Sequence, residues 1–167
     1  PVPEGTGCRC KFIAEEMIMK ILIASDIHGS AYYCEKLIEA YKREKADKLL
    51  LLGDLLYHGP RNDLPKGYAP KEVIKMLNGI KNEILCVKGN CDTEVDQMVL
   101  EFPIMAEYSF MYAGERMIFI THGHKFNETN NYELAISYLK DGHNIGLVTD
   151  RGTPVISDPG YDLARYV

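Results

Sequence analysis

Four short stretches of this 167-residue chain carry side chains able to hold a metal ion or move a proton. They are "ASDIHG" with Asp26 and His28, "LLGD" with Asp54, "VKGNCD" with Asn90 and Cys91, and "ITHGH" with His122 and His124. Each follows a run of apolar residues that reads as a strand, and ligands in open α/β sheets converge at the carboxyl ends of strands. Alternate residues of an extended segment share a side, so Asp26 and His28 are expected to point at one ion. Asp54 has two carboxylate oxygens and could bridge two cations, which in two-metal hydrolases lie about 3.5 to 4 Å apart. Asn90 adds a neutral oxygen and His122 a nitrogen. Gly29, Gly53, Gly89 and Gly123 permit close backbone approach to a bound phosphate. This mixture of imidazole, carboxylate and carboxamide suits Mn, Fe or Zn better than Mg or Ca. Singly, each stretch also reads as an ordinary turn or solvated loop. Their succession, each behind its own strand, is what points to a site.

The elements that must position these residues alternate between strand and helix. "MKILIAS" is a nearly continuous apolar run suited to a buried strand, and "SAYYCEKLIEAYKREK" sets Leu37, Ile38 and Tyr41 at helical spacing behind Ser30 as a cap. "KLLLLGD" repeats the buried-strand pattern, the loop "HGPRNDLPKGYAP" leads into the helical "KEVIKMLNGI", and "EILCVKGN" is a third strand. "YSFMYAGERMIFITHGH" reads as a hairpin with an Ala-Gly turn. Parallel βα units followed by a hairpin predict a layered α/β sandwich with helices on the sheet faces.

Composition narrows the functions available. With 46% hydrophobic and 26% charged residues the chain can build one domain with a real core. A net charge of -5 and a pI near 5.5 argue against a phosphate-backbone-binding surface, so bulk nucleic-acid binding is not expected. Five cysteines (Cys8, Cys10, Cys34, Cys86, Cys91) lack disulfide-framework spacing, and no apolar segment approaches a membrane span. A cytoplasmic protein without membrane association is the expectation. Residues 1–16 read as a loose extension, with the domain starting near Met17 or Met19. Cys8 and Cys10 form a Cys-x-Cys pair with no second pair to complete a zinc site, and are expected to be inert.

"SDIHGS", "LGDLLYHGPRN", "GNCDTEVDQM" and "THGH" together resemble the calcineurin-like metallophosphoesterases, and within them the small prokaryotic YfcE-type phosphodiesterases. The resemblance runs from about Met19 to about Asn130. It implies a four-layer αββα metallophosphoesterase sandwich, C-terminally incomplete here, with a binuclear site. Asp26, His28 and Asp54 would hold one divalent ion, and Asp54, Asn90 and His122 the other. Mn would be preferred, with Fe, Zn or Ni as alternatives, and a hydroxide activated by the ions would attack a small phosphodiester in line. Asn90 would also touch substrate, and Tyr57, His58, Arg61 and Asn62 are expected to line the phosphate pocket. Cys91 stands where many relatives carry a histidine that protonates the leaving group. A thiol is a poor acid for that task, and His124 and His58 are the alternative polar groups.

The family's last motif, Gly-His-x-His, is missing. His143, the only later histidine, lacks a second His and reads as a surface residue. In the motif's place stands "ISYLKDGHNIGLVTDRGTPVISDPGYDLARYV", residues 136–167, which resembles a fragment of the ribosomal RNA small-subunit cytidine 2'-O-methyltransferases of the tetrapyrrole-methylase superfamily. Arg151 departs from the small residue expected there. A strand and a loop cannot hold a cofactor without the rest of their sheet, so methyltransferase activity is not expected. The chain therefore divides into the extension 1–16, a metallophosphoesterase domain 17–135 lacking its last motif, and a borrowed segment 136–167, joined between Asn130 and Ile136. The expectation is an impaired phosphodiesterase, with a catalytically silent scaffold or an inactive truncated or fused product as alternatives. An uncovered sheet edge predicts weak stability or homo-oligomers unless the borrowed strand pairs in the place of the missing ones.

Overall fold

The computed structural model describes residues 19–60, 62–113, 116–125, 133–142 and 144–145. Three strands, β1 (Ile21–Ala24), β2 (Lys48–Leu51) and β3 (Ile84–Cys86), form a parallel sheet in the order β1-β2-β3. Helices α1 (Ala31–Glu44) and α2 (Pro70–Asn78) make the two crossovers, and a short helix α3 (Glu94–Val99) follows β3. A second sheet joins β4 (Tyr108–Ala113), β5 (Arg116–Thr121) and β6 (Asn144–Ile145). Its β4 and β5 are antiparallel, and β6 lies parallel to β5, with Phe119 opposite Ile145. Helix α4 (Glu133–Lys140) precedes β6.

Alternation along β2 builds the layers. Leu49 and Leu51 face one side and join Cys34 of α1 with Val73 and Leu77 of α2 in the larger core. Leu50 and Leu52 face the other, where with Val87 they meet Ile120, Ile118 and Met111 of the second sheet. On the far face of that sheet Phe119 stacks on Tyr138 of α4, ring centroids 5.0 Å apart and 17° between planes. The order helix, sheet, sheet, helix is the expected αββα sandwich. Part of the fourth layer, α4 from Ile136 onward, together with β6, comes from the stretch read as borrowed.

Within the first sheet only β2 is buried on both faces. Ile23 and Leu85, which flank Leu50 in the register, are 51% and 42% exposed. The second sheet thus packs over the centre of the first, and the apolar runs of β1 and β3 are half-buried edges where full burial was expected.

Ser30 caps α1 as predicted. Its hydroxyl accepts from the Tyr33 amide (3.1 Å) and donates to the Lys66 carbonyl (2.6 Å), tying the helix start to the loop before α2. Ser30→Ala is expected to cost about 1–2 kcal/mol, measured by urea unfolding, because cap and buried loop contact go together. Pro70 opens α2 at its first position, where a missing amide proton is harmless.

Among the described residues no helix is long and apolar enough to cross a membrane. The extension 1–16 with Cys8 and Cys10, Arg61, His143 and residues 146–167 lie outside the described residues.

Candidate metal centre

The loops after β1, β2, β3 and β5 meet at one end of the sandwich. After β1 the backbone runs beside the loop after β2, with the amides of Asp26, His28 and Gly29 donating to the carbonyls of Gly53, Asp54 and Leu55 (2.8–3.1 Å). Ile27 is buried in the core between them, which turns Asp26 and His28 outward together. They share a side as expected, but the backbone is not extended there. Asp26 (φ 58°) and His28 (φ 48°) are both left-handed, as is Asp54 (φ 56°). Such conformations cost about 1–3 kcal/mol each for non-glycine residues. The loop accepts that strain because it must bend while keeping its amides bonded to residues 53–55. Of the four described non-glycine residues with positive φ, three are predicted ligands and the fourth, Lys45, ends α1.

Two glycines let the second and third loops touch. A Cβ on Gly53 would lie 2.2 Å from the Gly89 nitrogen, and one on Gly89 would lie 2.0 Å from Asp54 Oδ1. That closeness delivers Asp54, only 2% exposed, to Asn90 and Cys91. The Cys91 amide donates to Asp54 Oδ1 (2.7 Å).

Asp92 clamps the junction, and the sequence reading assigns it no role. Buried to 3% exposure, its Oδ2 accepts from the amides of Asp54 (2.7 Å) and Gly89 (2.8 Å), and its Oδ1 from Leu55 (2.9 Å). The Gly-Asn-x-Asp spacing was the available signal, since an acid three residues beyond the glycine can reach back to its amide.

Two imidazoles complete the cluster. His28 Nδ1 lies 2.6 Å from the Tyr57 carbonyl, and His122 Nδ1 lies 2.8 Å from the Leu52 carbonyl. A carbonyl only accepts, so each Nδ1 carries a proton, and Nε2 is the ring atom that faces the site. His28 Nε2 faces Asp26 Oδ1 at 3.2 Å and Asp54 Oδ2 at 3.8 Å. His122 Nε2 faces Asn90 Oδ1 at 3.0 Å and Asp54 Oδ2 at 3.8 Å. Turning the Asn90 amide over would relieve the His122 contact. No rotation relieves His28, whose neighbours are carboxylate oxygens. Lone pairs meeting lone pairs call for a positive charge among them, either a proton on the ring or a cation.

The donor set fits a divalent cation. His28, Asp54 and Cys91 offer ligand atoms all within 4.8 Å of one another, and so do Asp26, Asp54 and His122. Asp54 belongs to both groups.

Around this centre a cleft of about 410 Å³ is lined by Asp26, His28, His58, Asn62, Asp63 and Pro65. His58 packs edge-on between Tyr57 and Tyr68. The Nδ1 atoms of His58 and His124 are buried without a hydrogen-bond partner among the described residues. The His124 ring lies 5.2 Å from that of His122, and burial, reinforced by His122, lowers its pKa. Burial and then the Asp54 carboxylate push the Cys91 thiol up to about 12, which makes it a still weaker proton donor than its ordinary value implies.

Comparison with known proteins bears on the family. The Calcineurin-like phosphoesterase family profile matches residues 19–158. Phosphodiesterase YfcE of Escherichia coli (strain K12) is 47% identical over 113 residues, covering 68% of this chain and 61% of that protein. The chain therefore spans about three fifths of the length of the curated phosphodiesterase it matches. The solved structure of Yfce, a phosphoesterase from E. coli, superposes with a TM-score of 0.64 at 47% identity, covering 67% of this chain and 62% of the other. Ribosomal RNA small subunit methyltransferase I of Haemophilus influenzae is 43% identical over 54 residues, 32% of this chain and 18% of that protein.

Proposed function

The chain belongs to the calcineurin-like phosphoesterase family, and we propose that it is a metal-dependent phosphodiesterase working at two divalent ions that share Asp54. The observation that supports this most directly is the pair of imidazoles whose Nδ1 protons are committed to the Tyr57 and Leu52 carbonyls. Both Nε2 atoms thereby face the Asp54 carboxylate, an arrangement that a shared cation would satisfy.

In this reading Asp26, His28 and Asp54 hold one ion, and Asp54, Asn90 and His122 the other, with Mn²⁺ the preferred metal. Divalent cations there would lower the pKa of a bound water and offset charge on the phosphoryl oxygens. The carbonyls of Tyr57 and Leu52 fix the ring orientations, which raises ligand basicity. Asp92 holds the Asp54 and Gly89 backbones in register. His58 and Asn62 line the cleft beside Asp26 and His28 and would be the polar groups nearest a phosphoryl oxygen bound there. His124 is the better proton donor to the leaving group, because Cys91 holds its proton too tightly. The substrate is a small phosphodiester, with no bulk nucleic-acid binding, and the protein is placed in the cytoplasm. Three protein ligands per ion are as many as catalytic zinc sites use, so binding is expected to persist, with turnover below that of a site with a fourth ligand.

The test is hydrolysis of a chromogenic phosphodiester by the purified chain across a Mn²⁺ titration. Turnover is expected to rise with metal, vanish in EDTA and return on adding Mn²⁺ back. Metal-independent turnover would overturn the mechanism. Metal binding without any turnover would favour the silent scaffold.

A further inference from the structure

We propose that Asp63 selects the organic part of the substrate, favouring phosphodiesters whose non-reacting arm carries a positive charge such as a quaternary or primary ammonium. The inference rests on the phosphodiesterase reading for the phosphate and adds to it the chemistry of the group beyond. The cleft of about 410 Å³ has the size of a small-molecule pocket, with room for more than a phosphate. Its lining offers two carboxylates, Asp26 and Asp63, and among the described residues no lysine or arginine.

The two carboxylates differ in what engages them. Asp26 takes the Ser25 hydroxyl on Oδ2 and faces His28 Nε2 with Oδ1 (3.2 Å), and it is assigned to an ion. Asp63 stands in the same cleft but makes no hydrogen bond or ion pair among the described residues. The loop around it is nevertheless tied down. Asn62 Nδ2 donates to the His58 carbonyl (3.1 Å) on one side. On the other, the Tyr68 amide donates to the Pro65 carbonyl (3.1 Å) and the Ser30 hydroxyl to the Lys66 carbonyl (2.6 Å). Lys66, the described cation nearest to Asp63 in sequence, holds its ammonium over the Tyr32 ring, 3.7 Å from the centroid. A carboxylate without a partner in a cleft that binds an anion works against a phosphate alone, because like charges repel. It favours a substrate whose ends differ in charge, the phosphate meeting the ions and a cationic arm meeting Asp63. Complementarity of that kind sets the choice of ligand more than raw affinity. Asp63 is exposed, so water and salt weaken the contact and the expected preference is modest.

The test compares p-nitrophenyl phosphorylcholine with its neutral isostere, in which carbon replaces the quaternary nitrogen, so that leaving group, size and shape match. With Mn²⁺ present, the full chain is expected to favour the cationic ester about three- to fivefold in kcat/KM, expressed mainly in KM. The preference should fade in about 1 M NaCl, where the screening length falls to about 3 Å. Asp63→Asn should bring the ratio to about one and Asp63→Lys should invert it, with circular dichroism checking that both fold. Titration calorimetry of phosphorylcholine and its carbon isostere should show the same contrast in binding, without turnover. Equal treatment of the two ligands by the intact chain, or a preference that persists in Asp63→Asn, would overturn the role of Asp63 and leave the phosphodiesterase reading standing. Hydrolysis of neither ester, with the binding contrast intact, would overturn the phosphodiesterase reading and leave Asp63 as the residue that chooses the ligand.

Discussion

Asp54→Asn is expected to lower metal-dependent phosphodiester hydrolysis by about 1,000-fold or more at saturating Mn²⁺, equivalent to about 4 kcal/mol of transition-state stabilisation. Asp54 is the one carboxylate common to both ligand groups, and its Oδ2 is the atom that both His28 and His122 face. Asparagine removes the charge and leaves a single good acceptor, so under the proposed two-ion reading one ion would lose its ligand and the pair would lose the negative charge that offsets their repulsion. Loss of a group that merely supports a ligand costs about 10–100-fold, and a bridging ligand should cost more. The substitution is otherwise mild. The amide oxygen can still take the Cys91 amide, and asparagine is among the non-glycine residues most at ease at positive φ, where position 54 sits. Steady-state turnover of a chromogenic phosphodiester and a thermal melt, run on both proteins, check this. Equal turnover in the two would place hydrolysis somewhere other than this centre, and a collapsed melting temperature would mean that Asp54 acts mainly through folding.

Much of the layered fold was legible because its signals are local. Apolar runs of strand length and Ser30 before α1 each report the element in which they sit. The runs do not say which strand is central. Leu50, Ile23 and Leu85 look alike in sequence, and only pairing makes the first buried and the other two half-exposed. Helix α3 is six residues long, too short for a periodic pattern to declare itself.

The centre divides in the same way. Asp26, His28, Asp54, Asn90 and His122 were readable from residue type and from position behind strands, and they do converge. The reason offered for Asp26 and His28 was nonetheless incomplete. Alternation along an extended chain gives the right side, whereas the backbone reaches it through two left-handed residues around a buried Ile27. Asp92 was missed for a different reason, because the Gly-Asn-x-Asp spacing signals only its bond to the Gly89 amide. Its partners are main-chain amides, and two of the three belong to a loop 37 and 38 residues away, so no side-chain pattern marks them.

That position carries the largest expected effect on stability. Asp92→Ala strands three amides, those of Asp54, Leu55 and Gly89, at a junction where side-chain truncation admits no ready substitute. Each buried donor left without a partner costs about 1–3 kcal/mol, and some relaxation toward solvent is expected, so the total is about 3–6 kcal/mol. Against a domain stability of about 5–15 kcal/mol this approaches unfolding at moderate temperature. Asp92→Asn should cost less, since one carbonyl oxygen still accepts, but its NH₂ would face amide donors that need an acceptor. The two variants separate folding from metal geometry. Urea unfolding reports the stability loss, and Mn²⁺ titration of Asp92→Asn under conditions where it remains folded reports whether Asp54 has moved. Asp92→Asn is expected to bind Mn²⁺ about 10–100-fold more weakly, because the clamp sets the approach of Asp54 to the loop carrying Asn90. An Asp92→Ala protein within about 1 kcal/mol of the parent would show that the Gly53–Gly89 contact holds the two loops by itself, and that the carboxylate only occupies the space between them.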